Sequence, residues 1–325
     1  AMQPPSQPSI DASSSYRKDI DGLRAVAVIA VIFYHFDASW LPGGFVGVDI
    51  FFVISGYVVT SSLLSHKPSP SNLSYLTAFY SRRVKRLAPA LLVTILASCT
   101  LSAIHLPPYA APIDEHHLSA QLSLVGMANL HYATLPTGYF DEGQSQLKLN
   151  PYTHCWSLAV EEQYYFVYPL LLLLLYGKKV SQNGCRARSN TTINLVLLTT
   201  LVASLIASAL LTAHTPTLAF YLLPSRFWQL MAGAILFTST HANGGTGGGW
   251  RRSLAATLAL EATALVLTII ALFCTPSAHG FPVPWSLVAI TGALCTIASG
   301  SMPKRRLLHG MQRRIAANAA QTGRR

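Results

Sequence analysis

Residues 45–64 read Phe-Val-Gly-Val-Asp-Ile-Phe-Phe-Val-Ile-Ser-Gly-Tyr-Val-Val-Thr-Ser-Ser-Leu-Leu, and this stretch decides the fold. Asp49 is its one charged residue. A helix needs about 20 mostly apolar residues to cross the hydrocarbon core of a bilayer. The rest of the chain has the same character, since 51% of its 325 residues are hydrophobic and only 11% are charged. Soluble domains are about a quarter charged, so the sequence predicts an integral membrane protein.

Further segments have a similar length and composition, which predicts an all-α fold: a polytopic transmembrane bundle of about eight helical spans. The predicted spans are Leu23–Trp40, Phe45–Leu64, Leu87–Leu106, Trp156–Tyr176, Ile193–Ala213, Phe220–Thr240, Leu254–Cys274 and Pro284–Ser301. We expect residues 1–15 to form a disordered leader, 16–301 the transmembrane domain with an outer loop at 107–153, and 302–325 a basic cytoplasmic tail. Within the outer loop, Leu118, Leu122 and Val125 recur at helical spacing, which predicts a short interfacial or re-entrant helix.

The basic residues predict the orientation of these spans. If the segment before the first span is cytoplasmic, 20 of the 23 Lys and Arg residues lie on the cytoplasmic side. Cytoplasmic loops of membrane proteins carry an excess of Lys and Arg, so both termini are expected in the cytoplasm. The net charge of +11 therefore reports topology, and nucleic acid is not an expected partner.

Arg24 and His35 are ionisable residues inside the first predicted span, where each costs at least about 2.5–3.5 kcal/mol and suggests a functional site. Eleven residues separate them, so both lie on one face of a helix, about 16 Å apart along its axis. That geometry fits a polar channel with a cationic inner mouth and a base in its outer half. Alternatively, Arg24 extends to the headgroups and His35 bonds to a neighbouring helix.

Asp49 enters the membrane near the outer end of the second span, and the connection 37–44 brings it towards His35. We expect its carboxylate to orient the imidazole as a general base requires, unless it is only an N-cap residue. Gly44, Gly47 and Gly56 allow close approach of helices to this span.

Arg82, Arg83 and Arg86 form a cationic cluster with Lys85 at a cytoplasmic helix start. Such a cluster can bind phosphates through charge-assisted hydrogen bonds. The alternative is an anchor to anionic membrane lipid.

These motifs resemble the acyltransferase-3 family of integral membrane O-acyltransferases. The resemblance rests on Asp-Gly-Leu-Arg at 21–24 with His35 eleven residues on, and on the run Gly-Val-Asp-Ile-Phe-Phe-Val-Ile-Ser-Gly-Tyr at 47–57. Arg-Arg-x-x-Arg-Leu-x-Pro-Ala at 82–90 and His-Cys-Trp-Ser-Leu-Ala-Val-Glu-Glu-Gln-Tyr-Tyr at 154–165 also match it. A looser match, Pro-Ser-Arg-Phe-Trp-Gln-Leu-Met-Ala-Gly, spans 224–233.

The resemblance implies an enzyme that transfers an acyl group, usually acetyl, from cytoplasmic acyl-CoA to hydroxyls of cell-surface or lipid-linked carbohydrates at the inner membrane. Acyl-CoA is then a co-substrate, and no bound cofactor is expected. It implies that Arg24 and His35 are the catalytic Arg–His motif and that the arginine cluster recognises the donor. Whether His35 is a general base or a transient acyl carrier stays open.

At the outer end of the fourth span, Trp156, Ser157 and Glu161 are candidate acceptor-binding residues. Trp156 is equally well explained as an interface aromatic, and Glu161 as an acidic residue that favours a helix N-terminus.

The chain also departs from the family pattern, because the family's last spans have no counterpart after residue 301. Two alternatives therefore stand beside the enzyme: a transporter of acyl groups or donors that serves a separate transferase, and an inactive truncated family member. The five cysteines are odd in number and widely spaced, which excludes a disulfide scaffold. The adjacent His116 and His117 point in different directions on a helix, so no metal site is predicted.

Overall fold

The computed structural model of the chain describes residues 17–64, 69–105, 113–136, 138–140, 150–176, 191–241, 254–276 and 280–301. Every regular element within these ranges is helical. The helices are α1 Lys18–Phe36, α2 Gly47–Leu64, α3 Asn72–His105, α4 Ile113–Leu124, α5 Ala128–Thr134, α6 Cys155–Tyr176, α7 Thr191–His214, α8 Pro216–Tyr221, α9 Leu223–His241, α10 Leu254–Cys274 and α11 Ser286–Gly300. The predicted leader and tail lie outside the described residues.

Five helices of the described part are long and apolar enough to cross a membrane: α2, α3, α6, α7 and α10. The other three predicted spans are also helices, α1, α9 and α11, but each falls short for a reason. Four charged residues lie in the first half of α1, α9 carries Arg226 among several polar side chains, and α11 has only 15 residues. A membrane protein is therefore supported, and the count of eight remains a prediction.

Two other predictions concern α4 and α3. The helix predicted from Leu118 and Leu122 exists as α4, and it ends one residue before Val125. The predicted third span, in contrast, is the second half of a 34-residue helix that already begins at Asn72. The arginine cluster thus lies in the middle of α3 rather than at a helix start.

Helix α2 is the centre of the bundle and packs against α1, α6, α9 and α11. Its glycines explain how the neighbours come so close. A Cβ on Gly56 would collide with the backbone carbonyl of Leu230 in α9, and one on Gly47 with that of Ala27 in α1. Gly44 meets the carbonyl of Ala30 in the same way. The prediction that these small residues permit close helix contact is confirmed.

Arg17 connects three helices at the end of the bundle opposite His35. Its guanidinium pairs with Asp19 at the start of α1 and donates to the hydroxyl of Tyr57 in α2 at 2.8 Å. It also donates to Ser301 Oγ and to the carbonyl of Ile297 at the end of α11. The first predicted span is thereby held against the rest of the bundle, and its apolar outer face stays uncovered by the described protein.

Candidate functional site

His35 lies in the last turn of α1 and makes two hydrogen bonds. Its Nδ1 is 2.8 Å from the carbonyl oxygen of Val31, and its Nε2 is 3.0 Å from the hydroxyl of Tyr139. A carbonyl can only accept, so Nδ1 carries the proton, and in the neutral ring Nε2 is the acceptor. The lone pair of Nε2 therefore faces Tyr139. This tautomer is the one that a base acting through Nε2 requires.

Asp49 is not the partner of His35, which corrects the expected pairing. Its carboxylate accepts from Arg226 Nη1 at 2.9 Å and from Gln229 Nε2 at 2.7 Å, both on α9. Arg226 and Gln229 are three residues apart and so face the same way from their helix. A fully buried carboxylate needs a charged partner, and α9, in direct contact with α2, supplies it.

Arg226 is enclosed by aromatic rings as well as by Asp49. Its guanidinium carbon lies 4.9 Å from the ring centre of Phe220, 5.0 Å from that of Phe281 and 5.6 Å from that of Trp156. The Nε atom donates to the carbonyl of Phe220. Trp156, a predicted acceptor-binding residue, is thus a buried member of this ring cluster.

The ring cluster connects Arg226 to the surroundings of His35. Tyr139 stacks on Phe220 with ring centres 4.6 Å apart, and it contacts Trp156 edge-on at 6.4 Å. His154, just before α6, is close enough to His35 for their charges to repel. Desolvation, and secondarily this repulsion, lower the pKa of His154, which favours a neutral imidazole beside His35. Ser157 bonds to the carbonyl of His154 and so lies in this part of the bundle.

Arg24 lies toward the other end of α1, and a single 3.3 Å contact joins it to Asp21. Its side chain is 30% exposed. One helix therefore carries both members of the predicted Arg–His motif, but no described side chain bridges them.

Glu161 lies beside the arginine cluster of α3, and not beside His35. Its carboxylate accepts from Ser55 Oγ at 2.8 Å and from the hydroxyl of Tyr165 at 2.6 Å. Arg83 places its guanidinium over the rings of Tyr165 and Phe79, with 5.2 and 5.3 Å to the ring centres. The structure thus brings a predicted acceptor residue and a predicted donor residue together through Tyr165.

Arg82 and Arg86 differ from Arg83 because both are exposed. Neither has a hydrogen bond or ion pair within the described part of the chain, so both are available for an anionic ligand. No three His, Cys, Asp or Glu side chains come close enough to hold a metal ion, as far as the described residues go.

Sequence reasoning missed Tyr139, Gln229 and Tyr165. The i, i+3 spacing of Arg226 and Gln229 in a matched motif was a usable signal for a polar face of α9. Tyr139 gave no such signal, because it lies in a segment without periodicity and reaches His35 across 104 positions of the chain.

Comparisons with known proteins show which family and which relatives this chain is similar to. The model of the acyltransferase-3 family, described as an acyltransferase domain, matches residues 17–315. The O-acetyltransferase OatA of Staphylococcus aureus (strain NCTC 8325 / PS 47) is 39% identical over 171 residues, which cover 53% of this chain and 27% of that protein. A putative O-acetyltransferase, SAS0844, of S. aureus (strain MSSA476) is 39% identical over 160 residues, or 49% and 25% of the two chains.

The chain thus spans about a quarter of the length of these curated relatives. No solved structure is detectably similar to it. The family match covers most of the chain, including α1, α2, the arginine cluster and the start of α6. The chain therefore belongs to the acyltransferase-3 family of acyltransferases.

Proposed function

We propose that this acyltransferase moves an acetyl group from cytoplasmic acetyl-CoA to a hydroxyl of a cell-surface or lipid-linked carbohydrate. Support for acetyl transfer to oxygen comes from the relatives, which are named as O-acetyltransferases. The proposal further includes an inner-membrane location with both termini in the cytoplasm, as the distribution of Lys and Arg suggests.

The observation that carries the proposal is the hydrogen bonding of His35. Because Val31 fixes the proton on Nδ1, Nε2 can accept the proton of an attacking hydroxyl. The oxygen of that hydroxyl bonds to the thioester carbonyl carbon and the carbon–sulfur bond breaks. The proton held on Nε2 then passes to the CoA thiolate. If His35 is instead a transient acyl carrier, Nε2 bonds to the carbonyl carbon and CoA leaves as its thiolate. The carbohydrate oxygen then bonds to that carbon, the bond between the carbon and Nε2 breaks, and the hydroxyl proton passes to the thiolate.

Arg82, Arg83 and Arg86 are the proposed binding site for the phosphates of CoA. Arg82 and Arg86 extend from α3 without described hydrogen-bond partners, whereas packing holds Arg83 over Tyr165. Phosphate groups bind guanidinium through short charge-assisted hydrogen bonds. Glu161 faces this cluster, so we reassign it from acceptor binding to the support of the donor site.

The test uses membranes that contain the chain, radiolabelled acetyl-CoA and chitotetraose as a soluble acceptor. Label in chitotetraose that disappears in His35→Ala supports the transferase. Label that crosses the membrane without a carbohydrate product supports a transporter instead. No use of acetyl-CoA by correctly inserted protein contradicts the proposal.

Arg82→Gln and Arg83→Gln separate the donor site from a lipid anchor. If the cluster binds CoA phosphates, each variant loses affinity for acetyl-CoA while inserting normally. Because Arg82 is exposed, Arg82→Gln should be as stable as the wild type. Equilibrium binding of labelled CoA and protease protection of the termini are the two measurements. Unchanged affinity with altered topology would assign the cluster to anchoring.

A further inference from the structure

The hydroxyl of Tyr139 is hydrogen-bonded to Nε2 of His35, the atom that the proposed reaction needs. It lies 3.0 Å from Nε2, and Nδ1 is already used by the carbonyl of Val31. A neutral imidazole offers one acceptor nitrogen with one lone pair in the ring plane. The hydroxyl of a carbohydrate and the hydroxyl of Tyr139 therefore cannot both donate to Nε2. One must leave before the other arrives.

Packing, and not a flexible side chain, directs Tyr139 towards His35. Its ring stacks on Phe220 at an interplanar angle of 20° and meets Phe140 edge-on at 5.1 Å. Trp156 closes a third side. Burial raises the pKa of the Tyr139 phenol, so the group stays protonated and remains a hydrogen-bond donor.

We propose that Tyr139 is a specificity-determining residue, whose hydroxyl keeps water off His35 Nε2 until a carbohydrate hydroxyl displaces it. The inference rests on the proposed function, because it assigns to Nε2 the activation of the acceptor. It adds a residue that selects between two acceptors, the carbohydrate and water.

Water is the competitor because it can undergo the same reaction. Its oxygen would bond to the thioester carbonyl carbon, the carbon–sulfur bond would break, and its proton would pass through Nε2 to the CoA thiolate. The products are acetate and CoA, and the acetyl group is lost. His35 is exposed in the described protein, and Nε2 without its bond to Tyr139 could accept from any water that enters the acceptor site. A hydroxyl held on that lone pair by packed rings blocks this route.

The test is Tyr139→Phe, which keeps the ring packing and removes the hydroxyl. Membranes with the variant are given [14C]acetyl-CoA without acceptor, and released acetate is measured. We expect release to rise about tenfold, which corresponds to about 1.4 kcal/mol, the size of one hydrogen bond. With chitotetraose present, label in the carbohydrate per acetate released should fall by about the same factor.

Tyr34→Phe is the matched control. The Tyr34 ring packs edge-on against His35 with ring centres 5.6 Å apart, but its hydroxyl makes no hydrogen bond within the described part. We expect this variant to release acetate at the wild-type rate. His35→Ala combined with Tyr139→Phe should abolish the additional release, because His35 activates the water.

Three results would overturn the inference. Unchanged acetate release in Tyr139→Phe would mean that the Tyr139 hydroxyl does not keep water from His35 Nε2. Loss of carbohydrate labelling without a rise in acetate would make Tyr139 a reacting group. Persistence of the additional release in the double variant would remove His35 from the water reaction. A wild type that labels no carbohydrate would count against the proposed function alone, since the acetate comparison needs no acceptor.

Discussion

Two ion pairs of this bundle, Asp49–Arg226 and Asp21–Arg24, combine the same residue types in opposite surroundings. In the pair that joins α2 to α9, the arginine and aspartate side chains are 1% and 2% exposed. In the pair within α1, they are 30% and 41% exposed, and the contact is longer, 3.3 Å against 2.9 Å. From the sequence, a role was predicted for Arg24 and none for Arg226, which lies only in a looser motif, yet burial makes Arg226 the structurally important one of the two.

The difference shows which charges hold the bundle together and which stay available. A buried charge without its partner costs several kcal/mol, so Arg226 and Asp49 must remain paired for α2 and α9 to pack. A partly exposed pair is worth little, so Arg24 loses little when its contact with Asp21 is broken. We call the α2–α9 contact the sealed region, because the side chains of its ion pair are buried. The face of α1 with Arg24 and His35 is the open region, because its ion pair is partly exposed.

Replacement of Arg226 should have the largest effect on stability. Arg226→Gln leaves Asp49 buried with Gln229 as its remaining partner from α9, and we expect a loss of about 3–5 kcal/mol. The measurement is the unfolding midpoint of the purified protein in detergent. The companion variant Asp49→Asn/Arg226→Gln should recover part of the loss, because it removes both charges. A midpoint equal to wild type in Arg226→Gln would show that the pair is not structural.

Gly56→Ala should have a smaller effect through packing alone. Its methyl group would meet the carbonyl of Leu230 in α9, and overpacking of a closely packed interface costs about 1–3 kcal/mol. Gly22→Ala in α1 is the control, since a Cβ there meets nothing within 4 Å. That variant should gain about 0.5–1 kcal/mol from helix propensity. Equal midpoints for the two variants would show that the close contact of Gly56 with α9 does not limit the size of this residue.

The sequence alone was sufficient to predict the helical class, most span positions and the close contacts of α2. Apolar length and small residues are local signals, so Trp156–Tyr176 was predicted within one residue of α6. Three predicted spans are helices that do not meet the length and hydropathy expected of a membrane span. In α1 the reason is its charged residues, and in α11 it is the short length.

The sequence pointed to individual candidate residues of the site more readily than to the partners that those residues contact. His35 and the arginine cluster stand out because charges in apolar runs are costly. The partner of Asp49 could not be predicted, because Arg226 is 177 positions away in the chain. The short connection between α1 and α2 favoured His35 instead. Glu161 was predicted at the acceptor site because it lies near the start of its helix. Its neighbour Arg83 lies in the middle of α3, a helix that is longer than predicted. Such pairings depend on how helices are arranged, which local patterns do not report.

Arg24→Gln should have the smallest effect on stability of the three replacements. Exposed ion pairs contribute about 0.2–1 kcal/mol, and the 3.3 Å contact to Asp21 is a long one. We therefore expect an unfolding midpoint near that of wild type. If Arg24 serves the reaction, transfer of label from acetyl-CoA should nevertheless fall strongly.

The two readouts together decide what the open face of α1 is for. Normal stability with lost transfer would give Arg24 a role in the reaction, because its structural contribution is then small by direct measurement. Normal stability with normal transfer would leave Arg24 as a residue that extends to the headgroups. A loss of stability as large as that of Arg226→Gln would contradict the comparison, since it would far exceed what a partly exposed ion pair contributes.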